Sequence, residues 1–323
     1  MCLMLFPTGR YYTPERPGRC NPARRRRLKR PLDLCYVGTM KIALAQIAPR
    51  LGDVPRNLAL HREWIRAARK EKADLLVFPE LSLTGYVLRD LVEEAALDPG
   101  RSPIFQDLAA LSRGMTIVVG FVEEKRDDPG LFYNAAACFG EGRLLHIHRK
   151  VYLPTGGMFE ERRFFAAGRD FRPFRAPFGR AGLMICRDFL QLGAAYLQLV
   201  GGAEVLVVIS SSPGRGLGPE ESFVSNRMWD LMGQALSMFT SSFVVYCNRV
   251  GVEEGMTFAG GSFIYGPRGE LLDRAAELEP GLLVQTVDLT AVRDARRKWG
   301  YHREERPEVI LHALERTIRS HED

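Results

Sequence analysis

Residues 74–80 read DLLVFPE, a short apolar run that ends in a proline and a glutamate. Short apolar runs bounded by turn-forming residues predict strands that are buried on both faces. A second such run, KIALAQI at 41–47, lies upstream, and between the two runs apolar residues recur at helical spacing after Pro55. A further helix is expected at 102–113 and a strand at 116–122. This order of strands and helices predicts an α/β fold with helices on both faces of the sheet.

The rest of the chain continues this alternation and adds hairpins. The expected strands are 132–139, 143–148, 182–186, 204–209, 243–248, 258–265 and 282–287, with a turn at Pro267-Arg268-Gly269. The expected helices are 188–200, 219–240, 290–298 and 307–319. Hairpins combined with crossover helices predict a mixed sheet, or two sheets packed on each other. No linker or internal repeat divides residues 40–319, which are therefore expected to form a single domain.

The first 39 residues differ in composition from the rest of the chain. They hold nine of the 45 Lys and Arg residues, two of the 39 Asp and Glu residues, and no Ser. A basic, Pro-rich segment of this kind cannot bury enough apolar surface to fold, so 1–39 is predicted to be a disordered tail. The simplest expectation is that translation begins at Met40. A basic interaction arm and a transit peptide are the alternatives, although transit peptides are usually Ser-rich.

The composition argues against several function classes. The net charge of +6 arises in the tail, so the nearly neutral remainder offers no basic surface to a nucleic acid. No apolar run reaches the roughly 18–20 residues of a membrane span, and no Cys/His cluster has zinc-site spacing. Cys138 and Cys247 lie in apolar runs and are expected to be buried thiols. Few, unpaired cysteines favour the reducing cytoplasm.

Three reactive side chains stand directly after predicted strands, where α/β folds gather functional groups. Glu80, Lys150 and Cys186 are separated by 70 and 36 residues, so only the fold can bring them together. A thiol attacks as its thiolate, a carboxylate can take its proton, and an ammonium can stabilise an oxyanion. Taken singly, each residue also has a structural interpretation, as a core thiol, a solvated lysine or a glutamate that caps a turn.

Three motifs around these residues resemble those of the nitrilase, or carbon–nitrogen hydrolase, superfamily. They are FPELSLTGY at 78–86, HRKVYLP at 148–154 and LMICRD at 183–188. The resemblance extends over about 41–312 and includes CNRVG at 247–251. It implies a four-layer α-β-β-α sandwich in which helices flank two mixed sheets, with no metal and no cofactor. It also implies a homodimer or higher homo-oligomer.

The resemblance implies roles for the residues at the strand ends. Cys186 would be the nucleophile, Glu80 the general base, and Lys150 the stabiliser of an oxyanion shared with the backbone N–H of Arg187. The expected reaction is hydrolysis of a small linear amide or N-carbamoyl compound through a thioester, with release of ammonia or an amine.

Two stretches more narrowly resemble the glutaminase domain of glutamine-dependent NAD synthetase. They are PELSLTGY at 79–86 and FEERRFF at 159–165. Because many superfamily members carry a second glutamate near the substrate, Glu160 or Glu161 is expected to fill that role. Gly156 and Arg187 stand where those glutaminases place other residue types, which argues against glutamine as substrate. The chain ends soon after this domain, so no fused synthetase is expected.

Several functions are compatible with these residues. The first is a free-standing amidase, and its main alternative is a glutaminase subunit that delivers ammonia to a separate synthetase. A non-catalytic protein with this fold is disfavoured because Glu80, Lys150 and Cys186 are all present. Acyl transfer to an amine and hydrolysis of a nitrile would use the same thiol, and both are less favoured.

Overall fold

The computed structural model describes residues 38–125, 127–216, 218 and 223–320. All of these residues belong to one compact unit, Cys35–Asp323. The basic tail expected at 1–39 therefore lies outside the described residues, apart from Gly38 and Thr39.

The strands and helices largely follow the predicted pattern. The strands are β1 (Thr39–Gln46), β2 (Leu75–Val77), β3 (Thr116–Glu124), β4 (Phe132–Gly140), β5 (Arg143–Arg149), β6 (Phe174–Ala176), β7 (Gly179–Ile185), β8 (Val205–Ser210), β9 (Phe243–Asn248), β10 (Val250–Glu253), β11 (Met256–Ala259), β12 (Phe263–Tyr265), β13 (Leu271–Arg274) and β14 (Gly281–Asp288). The helices are α1 (Val54–Lys70), α2 (Val92–Ala95), α3 (Pro103–Leu111), α4 (Glu161–Phe164), α5 (Leu192–Val200), α6 (Val224–Thr240), α7 (Thr290–Trp299), α8 (Tyr301–Glu304) and α9 (Pro307–Arg319). Short 3-10 helices cover Arg89–Leu91 and Cys186–Leu190.

Most of the strands assemble into two sheets. Within the described ranges, one sheet has the order β14-β1-β2-β3-β4-β5 and the other has the order β13-β12-β9-β8-β7-β6. The central strands β1, β2 and β3 are parallel, as are β7, β8 and β9, whereas the outer strands pair antiparallel. Both sheets are therefore mixed, and the central strands of each sheet end at a common edge.

The alternation of side chains along β1 separates two parts of the core. Ile42 and Leu44 pack into a cluster that includes residues of the second sheet, such as Val207. Ala43 and Ala45 point the other way, into a cluster formed with residues of α1 and α3. Residues of α5 and α6 pack against the second sheet. The layers are thus helix, sheet, sheet and helix, which confirms the predicted α-β-β-α sandwich.

The prediction of one strand at 258–265 was wrong. This segment contributes to β11 and β12, which lie in different sheets. Gly260 and Gly261 separate the two strands with φ angles of +66° and +69°, a left-handed conformation that glycine adopts without strain. The turn at 267–269 does form a hairpin, but it joins β12 to β13, while β14 pairs with β1.

Candidate active site

A close approach between β3 and the turn after β2 positions Glu80. The turn passes directly over Gly120, where a Cβ atom would lie 2.6 Å from the carbonyl oxygen of Pro79 and also too close to the backbone nitrogen of Leu81. Only glycine leaves room for this approach. Leu81 itself has φ of +49°, so the chain bends sharply just after Glu80. The Glu80 side chain is consequently held in the interior, fully buried.

Lys150 joins two carboxylates at the centre of the site. Its backbone N–H donates to the carbonyl oxygen of Asn134 as β5 ends. Its Nζ donates to Oε1 of Glu80 and to Oε1 of Glu161, both at 2.7 Å, and the lysine side chain is fully buried. Burial alone would lower the pKa of Lys150, but the charges of Glu161 and Glu80 outweigh it and raise that pKa above its ordinary value. The amine therefore stays an ammonium.

Both carboxylate oxygens of Glu80 have further donors. The side-chain amide of Asn134 donates to Oε1 at 2.7 Å, and the backbone N–H of Ser211 donates to Oε2 at 2.7 Å. The hydroxyl of Ser211 donates to the carbonyl oxygen of Glu80 at 2.9 Å. Since β4 and the end of β8 supply these donors, the orientation of the carboxylate is fixed by both sheets.

The structure distinguishes between the two candidate second glutamates. Glu161 is buried, and its Oε1 also accepts a 2.6 Å hydrogen bond from the Tyr86 hydroxyl. Its Oε2 is buried and has no hydrogen-bond partner among the described residues. Burial, together with the charge of Glu80, raises the pKa of Glu161 to about 7 against the opposing effects of Lys150 and Tyr86. Glu160 is exposed and lies outside this cluster.

Cys186 is presented by a strained turn at the end of β7. Its φ is +46°, in the left-handed region that non-glycine residues rarely occupy. The side chain is 6% exposed. Burial and the charge of Glu80 raise the pKa of the Cys186 thiol to about 12, although Lys150 acts in the opposite direction. The resting thiol is therefore neutral. The charges of Glu80 and Lys150 both affect its pKa.

Arg187 contributes to this turn through its backbone. Its side chain is exposed, while its N–H lies in the first turn of the 3-10 helix Cys186–Leu190. Backbone N–H groups in a first helical turn have no acceptor within their own helix. The position leaves this N–H available to a group bound beside Cys186.

Asp188 forms hydrogen bonds both to the segment around Lys150 and to the strand end before Cys186. Its Oδ1 accepts backbone hydrogen bonds from Val151 at 3.1 Å and Tyr152 at 2.9 Å. Its Oδ2 accepts from His148 Nε2 at 2.9 Å and from the backbone N–H of Ile185 at 3.2 Å. One buried carboxylate thus satisfies donors from both sides of the site.

A buried ion pair supports the loop that follows Glu80. Arg249 Nη1 donates to Glu253 Oε2 at 2.8 Å, and the guanidinium lies 4.1 Å from the ring centre of Phe258. The other oxygen of Glu253 accepts from the backbone N–H groups of Tyr86 at 2.8 Å and Val87 at 2.6 Å. The pair thereby fixes Tyr86, which in turn contacts Glu161.

Several of these residues have no role predicted from the sequence. Asn134 had a detectable signal, because it is a polar residue within the apolar strand FYNAAACFG. Tyr86 and Asp188 lie inside the quoted motifs, but their partners are distant in sequence. In the part of the chain that the structure describes, no group of three or more His, Cys, Asp or Glu residues could hold a metal ion. No helix of the described ranges is long and apolar enough to cross a membrane.

Comparisons with known proteins identify the family of the chain. The family model described as carbon-nitrogen hydrolase matches residues 41–297. The glutamine-dependent NAD(+) synthetase of Thermotoga maritima is 31% identical over 256 residues, which are 77% of this chain but 42% of that relative. The N-carbamoylputrescine amidase of Solanum lycopersicum is 31% identical over 276 residues, covering 80% of this chain and 89% of the relative.

A solved structure shows the same fold over nearly its whole length. The crystal structure of a carbon-nitrogen hydrolase from Helicobacter pylori G27 matches with a TM-score of 0.76 and 24% identity, covering 86% of this chain and 99% of that chain. The present chain spans less than half the length of the NAD(+) synthetases that it matches. Because the family model covers most of the chain, the protein belongs to the carbon–nitrogen hydrolase family.

Proposed function

We propose that the protein hydrolyses a small linear amide or N-carbamoyl compound through a thioester on Cys186. The observation that carries this proposal is the bridge formed by Lys150 Nζ between Glu80 and Glu161, at 2.7 Å to each. The charges of all three groups affect the pKa of the buried Cys186 thiol. The ammonium offsets the negative charge that would otherwise build up on two adjacent carboxylates. It can also donate to a third oxygen, because an ammonium carries three N–H groups.

In the first half of the proposed reaction, the Cys186 thiol transfers its proton to Glu80 and attacks the carbonyl carbon. Negative charge develops on the carbonyl oxygen, where Lys150 Nζ and the backbone N–H of Arg187 stabilise it. The C–N bond then breaks, and the leaving nitrogen takes the proton from Glu80. The products of this half are ammonia or an amine and an acyl thioester.

In the second half, Glu80 acts as general base on a water molecule. The resulting hydroxide attacks the thioester carbon, and the same oxyanion donors stabilise the second tetrahedral intermediate. The C–S bond breaks, the thiolate of Cys186 recovers the proton from Glu80, and the carboxylic acid product leaves. The cycle consumes one substrate molecule and one water molecule, and it returns Cys186 and Glu80 to their starting protonation states.

Glu161 is proposed to bind the nitrogen that leaves. Its Oε2 is buried without a protein donor among the described residues. An unsatisfied buried acceptor is costly, so a ligand that donates to it gains affinity. The NH₂ group of a primary amide or of a carbamoyl group supplies such a donor. This role also favours substrates with an unsubstituted nitrogen.

The second candidate is a glutaminase subunit that delivers ammonia to a separate synthetase. The similarity to the glutamine-dependent NAD(+) synthetase of Thermotoga maritima supports it. This function requires a partner chain that accepts the ammonia. Purification of the native protein from its own cells, followed by identification of any bound synthetase, separates this candidate from a free-standing amidase.

A homodimer or higher homo-oligomer in a reducing compartment, the cytoplasm, is part of the proposal. An apolar stripe of α6 that includes Val224, Met228, Leu231 and Phe239 is exposed, and exposed apolar surface of this kind marks interaction sites. The described cysteines Cys138, Cys186 and Cys247 are free thiols, as expected in reducing surroundings. Light scattering of the purified protein tests the oligomer.

A substrate panel tests the proposed chemistry. Ammonia release is measured with short aliphatic amides, N-carbamoyl amines, N-carbamoyl amino acids and glutamine, each with the intact protein and with Cys186→Ala. We expect release from at least one linear amide or N-carbamoyl compound and none from the variant. Activity confined to glutamine would favour the glutaminase subunit. No release from any of these compounds by the folded protein would reject both candidates.

A further inference from the structure

Ser210 is the neighbour of Cys186 across the second sheet. In the parallel ladder between β7 and β8, Ile185 pairs with Ile209, so the residues that follow, Cys186 and Ser210, lie side by side at the carboxyl ends of the two strands. Ser210 is fully buried. Burial and the charge of Glu80 raise the pKa of the Cys186 thiol, and the nearby Ser210 hydroxyl acts in the opposite direction.

Tyr246 approaches the same hydroxyl from β9. It pairs with Val208, two residues before Ser210, so the side chains of Tyr246 and Ser210 project from the same face of the sheet. The phenol ring is stacked between Trp229 and Phe263, with ring centres 5.2 and 4.7 Å away. This stacking fixes the position of the Tyr246 hydroxyl beside Ser210.

Neither hydroxyl is held in a well-formed hydrogen bond in the resting site, although Ser210 lies close enough to Cys186 and to Tyr246 to oppose the rise that burial causes in the pKa of both groups. Ser210 Oγ and Tyr246 OH are both buried and have no hydrogen-bond partner among the described residues. Buried polar groups are nearly always paired, and leaving one unpaired destabilises the protein. Two such groups beside one buried thiol therefore call for an explanation, and the neutral thiol, a weak acceptor, does not provide one.

We propose that Ser210 and Tyr246 form a hydroxyl relay that is completed only when Cys186 is a thiolate. The Ser210 hydroxyl donates to the sulfur anion, and the Tyr246 hydroxyl donates to Ser210 Oγ. No covalent bond changes in the relay. The thiol proton moves to Glu80, as in the proposed function on which this inference rests, and the two hydroxyls reorient toward the new charge.

The relay stabilises the Cys186 thiolate and so opposes the effect of burial, which favours the neutral thiol. A hydrogen bond to a charged acceptor is stronger than one to a neutral acceptor, so the two hydroxyls stabilise the thiolate more than the thiol. Both hydroxyls are already buried and positioned, and they need only rotate their hydrogens. Ser210 thus acts on the reacting sulfur, whereas Tyr246 is a positioning residue that acts through Ser210.

The test measures the alkylation of Cys186 by iodoacetamide as a function of pH, with the modified peptide quantified by mass spectrometry. In Ser210→Ala we expect the thiolate fraction at a given pH to fall about 10- to 100-fold, because a hydrogen bond to a charge is lost. Nucleophilicity rises as the thiolate becomes more basic, so the alkylation rate falls only about 3- to 10-fold. Because the pKa of the Cys186 thiol is already about 12, both alkylation rates should rise with pH throughout the range in which the protein is folded, with the Ser210→Ala rate lower at every pH.

Three further variants make the test specific. Tyr246→Phe should give a smaller effect, and the double variant with Ser210→Ala should match Ser210→Ala alone, since the two groups act in series. Ser210→Thr, which keeps the hydroxyl, should restore the alkylation rate. Thr116→Val removes another buried, unpaired hydroxyl, which lies at the start of β3, and should leave the profile unchanged.

The melting temperature distinguishes a role of the two hydroxyls in the relay from a role in stabilising the fold. Because the hydroxyls are unpaired at rest, Tyr246→Phe should leave the melting temperature unchanged or raise it. An unchanged alkylation profile in folded Ser210→Ala, or additive effects of the two substitutions, would overturn the relay. Turnover retained by Cys186→Ala would instead reject the proposed function, and the alkylation profile is measured independently of turnover.

Discussion

His148 donates from Nε2 to the carboxylate of Asp188 at 2.9 Å, and the two side chains are 2% and 0% exposed. His148 belongs to the strand that leads to Lys150, and Asp188 belongs to the turn that presents Cys186. The contact therefore couples the element that carries the ammonium to the element that carries the thiol. The Asp188 carboxylate also accepts backbone hydrogen bonds from Val151 and Tyr152, which follow Lys150, and from Ile185, which precedes Cys186.

Asp188→Asn should reduce turnover far more than it reduces substrate binding. The amide NH₂ would face a donor in place of an acceptor, so at least one buried hydrogen bond is lost and one donor is left unpaired. We expect the free energy of unfolding to fall by about 1–3 kcal/mol and kcat by about 100-fold, as expected for a positional error at reacting groups. Steady-state kinetics and chemical denaturation measure the two effects.

The matched control for this variant is Asp170→Asn, which changes an exposed carboxylate paired with Arg172. It should alter neither kcat nor stability by a measurable amount, because exposed ion pairs contribute little. Equal kinetics for the two variants would show that Asp188 does not position the site.

The rate of hydrolysis should depend on the ionisation of Glu161. Because burial raises its pKa to about 7, kcat/KM should increase as the pH rises through that value and Glu161 becomes a carboxylate. In Glu161→Gln we expect a loss of about 10- to 100-fold, the effect of one hydrogen bond to a charge, and no inflection near pH 7. A pH–rate profile of both proteins makes the comparison, and an identical inflection in the variant would assign it to another group.

The same carboxyl group links stability to pH. Between its ordinary value of 4.5 and its value of about 7 in the folded protein, the folded state holds a proton that the unfolded chain has released. The free energy of unfolding therefore decreases with rising pH across this window through this group. Melting temperatures at pH 5 and pH 7.5 should differ less in Glu161→Gln than in the unsubstituted protein.

Breaking the buried ion pair should destabilise the protein and misplace Tyr86. Arg249→Met leaves Glu253 buried without its cation, and we expect a loss of about 3–5 kcal/mol in the free energy of unfolding. The double variant with Glu253→Gln removes the uncompensated charge and should recover part of that loss. Chemical denaturation of Arg249→Met, Glu253→Gln and the double variant measures the coupling energy between the two side chains. If the double variant lost the sum of the two single losses in the free energy of unfolding, the predicted coupling would be contradicted.

Gly120→Ala should prevent the turn at Glu80 from packing on β3. The added Cβ would lie 2.6 Å from the carbonyl oxygen of Pro79, and both partners are backbone that cannot move aside locally. We expect a severe loss of stability or of soluble expression. Gly193→Ala is the control, since its added methyl group meets no atom within 4 Å and alanine favours the helical state.

The apolar runs and helical periodicities predicted the strands, the helices and an α/β fold with mixed sheets, whereas the four layers followed from the resemblance to the nitrilase superfamily. The sequence predicted Glu80, Lys150 and Cys186 as a group because all three follow predicted strands. It could not predict the roles of Asn134 or Asp188, whose partners lie on other strands and are set by register. The strand break at Gly260 was missed for a related reason, since glycine permits a left-handed turn without requiring one.

Trapping of the acyl intermediate shows whether Cys186 is the nucleophile. The enzyme is mixed with a slowly hydrolysed amide and quenched in acid, and the peptide that contains Cys186 is weighed by mass spectrometry. We expect this peptide to gain the mass of the acyl group, and we expect folded Cys186→Ala to show neither the adduct nor turnover, a loss of several orders of magnitude. An adduct on another residue, or normal amide hydrolysis by Cys186→Ala, would contradict the account.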